Sequence, residues 1–146
     1  MKSISKVSTV LLQVTLIVSA LVFSIALKAQ PPSRPDVSEI TRKGVDISYA
    51  SSSKAQKLDI YLPEEGDGPF PVILAIHGGA YKAGDKADGQ LVQLPGLKRG
   101  YAVISVNYRL SGEAIFHAQI NDLKAAVRWV RVHAKEYSLN ADLIAS

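Results

Sequence analysis

Two apolar runs constrain this chain more than any other feature. Pro71-Val72-Ile73-Leu74-Ala75-Ile76 and Ala102-Val103-Ile104-Ser105-Val106 show almost no alternation of polar with apolar residues. Strands of that kind are covered on both faces, which in one domain means a sheet with helices packed on either side. Two earlier segments, Val45–Tyr49 and Lys57–Leu62, alternate with period two and read as half-buried strands. The turn-rich stretch from Pro63 to Pro69 ends the second of them. Asp88 to Leu97 reads as a short helix limited by Pro95 and Gly96. From about Phe116 to Tyr137, the residues Phe116, Ile120, Leu123, Val127, Val130 and Ala134 share one helical stripe. Lys124, Arg128, Arg131 and Lys135 repeat beside it, a pattern better suited to a solvated outer face than to a lipid surface. Leu143 to Ser146 begins a further buried strand. The expected class is α/β, with a mostly parallel sheet and flanking helices.

Composition narrows the function. The chain has 146 residues, enough for one domain, and no cysteine, which excludes disulfides, zinc–thiolate sites and thiol catalysis. Its formal net charge of +4 is not a footprint for nucleic acid. Lys2, Lys6 and Lys28 precede all the acidic residues, and from Gln30 onward basic and acidic residues nearly balance. Lys2 and Lys6 followed by the uncharged run Val7–Leu27 form the two regions of a secretory signal, with a small-x-small site at Ser24-Ile25-Ala26. An uncleaved membrane anchor is the competing reading, since a run of about 18 apolar residues spans a bilayer. Residues 1–29 are therefore expected to be a signal peptide or anchor, 30–44 a proline-bearing linker, and 45–146 the folded domain of a secreted or periplasmic protein. Membrane contact follows only if the N-terminal segment stays uncleaved.

One loop carries chemistry. His77-Gly78-Gly79-Ala80-Tyr81 directly follows the apolar run ending at Ile76. Three small residues in succession leave backbone N–H groups unshielded and permit unusual φ values. At the end of a buried parallel strand such groups can hold a developing oxyanion. A plain strand-to-helix turn is the alternative. Gly79 and Gly84 also have the spacing of a phosphate loop, but Asp85 and Lys86 stand where Lys and Ser or Thr are required, and an acid there repels phosphate. No G-x-G-x-x-G occurs. His77, His117 and His133 are scattered and lack the close pairing of zinc ligands, so no metal site is expected.

The segments Leu58–Pro63, Val72–Ala80, Val106–Leu110 and Asp122–Trp129, in this order, resemble the N-terminal part of the α/β-hydrolases of the esterase/lipase group. The nearest branches are the bacterial hormone-sensitive-lipase-like and feruloyl- or acetyl-esterases, and the likeness runs from Asp46 to Ser146. The resemblance implies that Gly79 and Ala80 supply oxyanion-hole N–H groups, with Gly78 as the turn glycine. It makes His77 a loop support rather than the base, places Tyr81 beside the acyl or alcohol pocket, and gives Asn107-Tyr108-Arg109 a packing role. It implies no cofactor. His117 departs from the family, where proline often precedes the long helix. The family's G-x-S-x-G nucleophile turn is absent, and its acid and histidine come later still. The expectation is thus a fragment of an exported ester hydrolase, truncated before the nucleophile elbow and inactive alone. An amide-cleaving relative, a non-enzymatic membrane-anchored binding module and a broken gene product are the alternatives. Substrates expected for the parent are acetyl or feruloyl esters of polysaccharide, by analogy with the family.

Overall fold

The computed structural model describes residues 36–88 and 94–146. The segment 1–29, expected to be a signal or anchor, lies outside the described residues. Five strands and one long helix follow in order: β1 (Lys43–Ser48), β2 (Lys57–Tyr61), β3 (Phe70–Ile76), β4 (Ala102–Val106), α1 (Ala118–His133) and β5 (Leu139–Ala145), with a 3-10 helix at Leu94–Arg99 between β3 and β4. No helix among the described residues is long and apolar enough to cross a membrane.

The strands form one mixed sheet in the order β1-β2-β4-β3-β5. β2 runs antiparallel to both β1 and β4, while β3 is parallel to both β4 and β5. Period two then sorts the side chains. Leu58, Ile60, Val72, Leu74, Ala102, Ile104 and Val106 point to one face, where α1 covers them with Ala126 and Val130. Tyr61, Ala75 and Val103 point to the other, where Val37, Ile40, Leu94 and Leu97 pack on them. The connection from β3 leads one way to β4, and that from β4 leads back past β3 to β5. The carboxyl end of β3 therefore adjoins a reversal of strand order, where open α/β sheets bind ligands.

Several elements depart locally from the sequence reading. β2 is buried on both faces rather than one: Asp59, which alternation assigns to solvent, is only 2% exposed. The reason is its place between β1 and β4, with Lys86 lying over its second face. Residues 36–44, the later part of the expected linker, are held to the domain: Thr41 binds the Glu64 carboxylate through both N–H and hydroxyl, and Lys43 Nζ donates to the Val37 carbonyl. The short helix expected from Asp88 to Leu97 is displaced, with Lys86–Asp88 helical and the next described turn at Leu94. α1 ends at His133, and residues 134–138 turn into β5. Its buried residues are Gln119, Asp122, Ala126 and Val130, whereas Phe116 is 69% exposed. The buried face is thus rotated from the apolar stripe because a polar pair, Gln119 and Asp122, is buried for its hydrogen bonds. Lys124, Arg128, Arg131 and Lys135 are all exposed, as a solvated face requires. β5 begins at Leu139, earlier than expected, and Leu143 on it is 57% exposed.

Candidate active site

β3 delivers the chain to its carboxyl end at Ile76, and the following loop leaves the sheet through a set of left-handed residues. Gly79, Ala80, Tyr81 and Gly84 have φ of 108°, 53°, 61° and 115°. The Gly79 carbonyl accepts hydrogen bonds from Lys82 N–H at 2.9 Å and Ala83 N–H at 3.2 Å, closing a tight turn. A Cβ on Gly79 would lie 1.9 Å from the Ala83 carbonyl oxygen, so only glycine fits. Gly84 packs so closely that a Cβ there would lie 2.3 Å from His77 Nδ1. Gly78, expected to be the turn glycine, meets nothing within 4 Å, and the steric demand falls on Gly79 and Gly84. Among the described residues no group accepts a hydrogen bond from the Gly79 or Ala80 N–H. The N–H groups of Gly78, Tyr81 and Gly84 likewise find no acceptor among the described residues, and adjacent free donors of this kind are what an oxyanion hole needs.

His77 is buried at 4% exposure, as a support and not at the surface. Its Nδ1 donates to the Gly78 carbonyl at 2.8 Å, and its ring stacks on Tyr108 with centroids 4.4 Å apart and planes 8° from parallel. Tyr108 in turn donates its hydroxyl proton to the His77 carbonyl at 3.0 Å. Burial, and then the neighbouring Tyr81, push the Tyr108 phenol above its usual range, so it keeps that proton. Tyr81 meets Tyr108 edge-on at 6.0 Å and remains 44% exposed, while its carbonyl accepts from Ser111 N–H at 2.7 Å. Tyr81 is thus the aromatic residue of the loop that presents a face to solvent.

The far end of the loop is held more tightly still. Lys86 Nζ lies 2.7 Å from Asp59 Oδ2 and 3.1 Å from Asp46 Oδ1. Burial works against the charged ammonium, but hydrogen bonds to Asp59 and Asp46 outweigh it and hold Lys86 above the ordinary lysine range. Lys86 N–H donates to Asn107 Oδ1 at 2.5 Å, and the Ser105 hydroxyl donates to the Lys86 carbonyl. Asn107 Nδ2 also donates to Asp85 Oδ2 at 3.0 Å. The Asp85 side chain accepts from Ala87 N–H at 2.9 Å and so caps the helical turn that follows.

Asn107-Tyr108-Arg109 thus has the packing role expected of it. Arg109 grips Asp122 of α1 through Nε and a second guanidinium nitrogen, at 2.9 and 2.7 Å, and its N–H adds a third bond at 3.1 Å. Gln56 donates to the same carboxylate at 2.7 Å. Burial alone raises the Asp122 pKa, yet the bonds from Arg109 and Gln56 prevail and hold it below the usual carboxylate range. At the head of α1, His117 has φ 85°, which a proline ring cannot adopt. Sequence reasoning passed over Asp59, Asp85 and Lys86 as functional supports. The available signal was an aspartate between two apolar residues of a strand, and an acid–base pair directly after a glycine. A separate cleft of about 1120 Å³, lined by Ile40, Leu62, Glu64, Leu94 and Leu97 among others, includes none of the loop residues 77–86.

The glycine-rich loop at the carboxyl end of a parallel strand, on this sheet, is the arrangement of the N-terminal part of an α/β-hydrolase. Residues 58–146 match the BD-FAE family model, and the chain belongs to that family. It is 36% identical over 104 residues to the probable carboxylic ester hydrolase LipM of Mycobacterium tuberculosis, covering 68% of this chain and 24% of LipM. Among solved structures it resembles a truncated carbohydrate esterase from gut microbiota, at 39% identity and TM-score 0.69, covering 77% of this chain and 41% of that one. It also resembles a bifunctional GH43-CE of Bacteroides eggerthii, at 40% identity and TM-score 0.68, covering 71% and 14%. The chain therefore spans about a quarter of the length of LipM and about two fifths of the carbohydrate esterase.

Proposed function

We propose that this chain is the oxyanion-loop portion of an exported serine carboxylic-ester hydrolase. A serine hydroxyl attacks the ester carbonyl, and the carbonyl oxygen, taking on negative charge, is met by the N–H groups of Gly79 and Ala80. Collapse of the tetrahedral intermediate expels the alcohol and leaves an acyl-enzyme for water to cleave. Gly78 sits at the mouth of this hole, and the exposed ring of Tyr81 lines the acyl or alcohol pocket. The observation that carries the reading is the run of unpartnered loop amides at the carboxyl end of β3, with those of Gly79 and Ala80 adjacent within it. The parallel register supports it. Ile73 pairs with Ala145, so chain continuing along β3 would reach the level of Ile76 about three residues on, beside the loop. That is where a nucleophile elbow belongs in this fold. The name of the carbohydrate esterase relative favours a carbohydrate-linked ester as substrate, and within that class we propose acetyl or feruloyl esters of polysaccharide.

Two measurements test this. Reading the source DNA past the codon for Ser146 is expected to show G-x-S-x-G within about ten residues. The whole encoded protein is then expected to cleave short acyl esters faster than the matched amides, and residues 1–146 alone to show no turnover. A stop codon directly after Ser146, or a preference for amides, removes the reading.

A further inference from the structure

We propose that Lys86 is a positioning residue for the oxyanion loop, tied through Asp59 and Asp46 to the first two strands, so that the far side of the sheet sets where the Gly79 and Ala80 N–H groups point. This deepens the ester-hydrolase reading and rests on it. Asp59 of β2 stands opposite Ser105 of β4, and Ala75 of β3 pairs with the same serine, so the two polar side chains share the sheet face beneath the loop's exit. Both hold Lys86: Asp59 takes its ammonium and Ser105 its carbonyl. Asn107, one residue beyond β4, takes its N–H. Every polar group of Lys86, side chain and backbone, is engaged by the sheet or by the residue that directly follows β4.

β1 is shaped to add to this. Its register with β2 moves from Gly44 opposite Ile60 to Ile47 opposite Leu58, so Val45 and Asp46 together face Asp59. Asp46 occupies this bulge at φ 55°, a costly conformation for a residue other than glycine unless neighbours hold it. Asp59 holds it by accepting the Asp46 N–H at 2.8 Å, and the freed Asp46 carboxylate reaches Lys86. From Lys86 the chain runs back through Asp85, fixed by Asn107, to Gly84 against the His77 ring and the turn closed on the Gly79 carbonyl. Shifting Lys86 therefore shifts the turn that aims the two amides. The loop's other ties, the Gly79 turn, the His77–Gly78 bond and the Ser111–Tyr81 bond, do not reach β1 or β2.

The test uses the whole protein encoded by the source gene, with Lys86→Met, Lys86→Arg and the exposed Asp46→Asn. Steady-state kinetics on a short acyl ester are read beside amide hydrogen exchange of residues 78–84. For Lys86→Met, kcat is expected to fall about tenfold to a hundredfold with KM within about twofold, since misaimed donors cost the transition state and not the ground state. Lys86→Arg restores most of it, and Asp46→Asn costs about threefold, as befits a partly screened charge. Exchange quickens across residues 78–84 in Lys86→Met while α1 is unchanged. A folded Lys86→Met variant with wild-type kcat and wild-type loop exchange overturns the proposal. Should Lys86→Met not fold, Asp46→Asn decides, and unchanged kcat and exchange in it overturn the proposal equally. If the wild-type protein cleaves no ester, the ester reading fails by itself, and loop exchange alone then decides whether Lys86 positions the loop.

Discussion

Replacing Gly79 with alanine would put a Cβ 1.9 Å from the Ala83 carbonyl oxygen and ask an L-residue to hold φ 108°. The turn must open, and both leftover amides swing with it. The expected loss is about a hundredfold in kcat/KM for the whole protein, the scale of removing an oxyanion donor, with a stability cost of about 1–3 kcal/mol. Gly78→Ala is the contrast: its Cβ meets nothing within 4 Å, so urea melts should move by less than about 0.5 kcal/mol. Tyr108→Phe keeps the stack on His77 but loses the hydroxyl bond to its carbonyl, and about 1 kcal/mol of stability with it. Sequence alone makes the small residues of 78–80 conspicuous as a place of unusual backbone. It does not separate Gly78 from Gly79, because the contact that demands glycine is with Ala83, which arrives only once the turn has closed.

At the scale of elements, α1 is joined to the end of β4 by one carboxylate. Asp122 accepts three bonds from Arg109 and one from Gln56 while only 2% exposed. Asp122→Asn leaves the guanidinium poorly matched, and is expected to cost about 2–3 kcal/mol in urea denaturation at pH 7. Because the folded protein holds this pKa below its usual value, the stabilisation is complete above the ordinary aspartate range. It is lost as pH falls through the lowered folded value. Wild type and Asp122→Asn should therefore differ at pH 7, with the gap narrowing as pH falls below the ordinary aspartate range, in melts recorded across that span. The helix itself was readable from its 3.6-residue period, and Val130 and Ala134 of its stripe are buried, with Leu123 and Val127 packed against the core, but the inner face of its first turn was not. Apolar spacing pointed to Phe116 and Ile120, whereas Gln119 and Asp122 are the residues drawn inward, Gln119 by the nearby Ala114 carbonyl and Asp122 by Arg109 and the distant Gln56. The same blindness affected Asp59, whose alternation assigned it to water until β1, β4 and Lys86 were in place around it.

For the molecule as a whole, the α/β class followed from a few apolar runs, since burial on both faces leaves few architectures open, but the strand order β1-β2-β4-β3-β5 did not. The pairing of β2 with β4, and the antiparallel sense it brings to half the sheet, left no mark in local sequence. The described residues expose Ile115 at 86%, Phe116 at 69%, Val132 at 78% and Leu143 at 57%. Residues 36–146 expressed alone are expected to self-associate, and replacing Ile115 and Phe116 by serine should lower the sedimented mass. There is also a matter of timing. Lys86 finds Asp59 27 residues earlier in the chain and Asn107 21 residues later. As the polypeptide leaves the ribosome, the glycine loop emerges before the strand that must grip it. It is tied to the sheet only once β4 lies between β2 and β3, so the loop's final placement is set in the same event that closes the sheet.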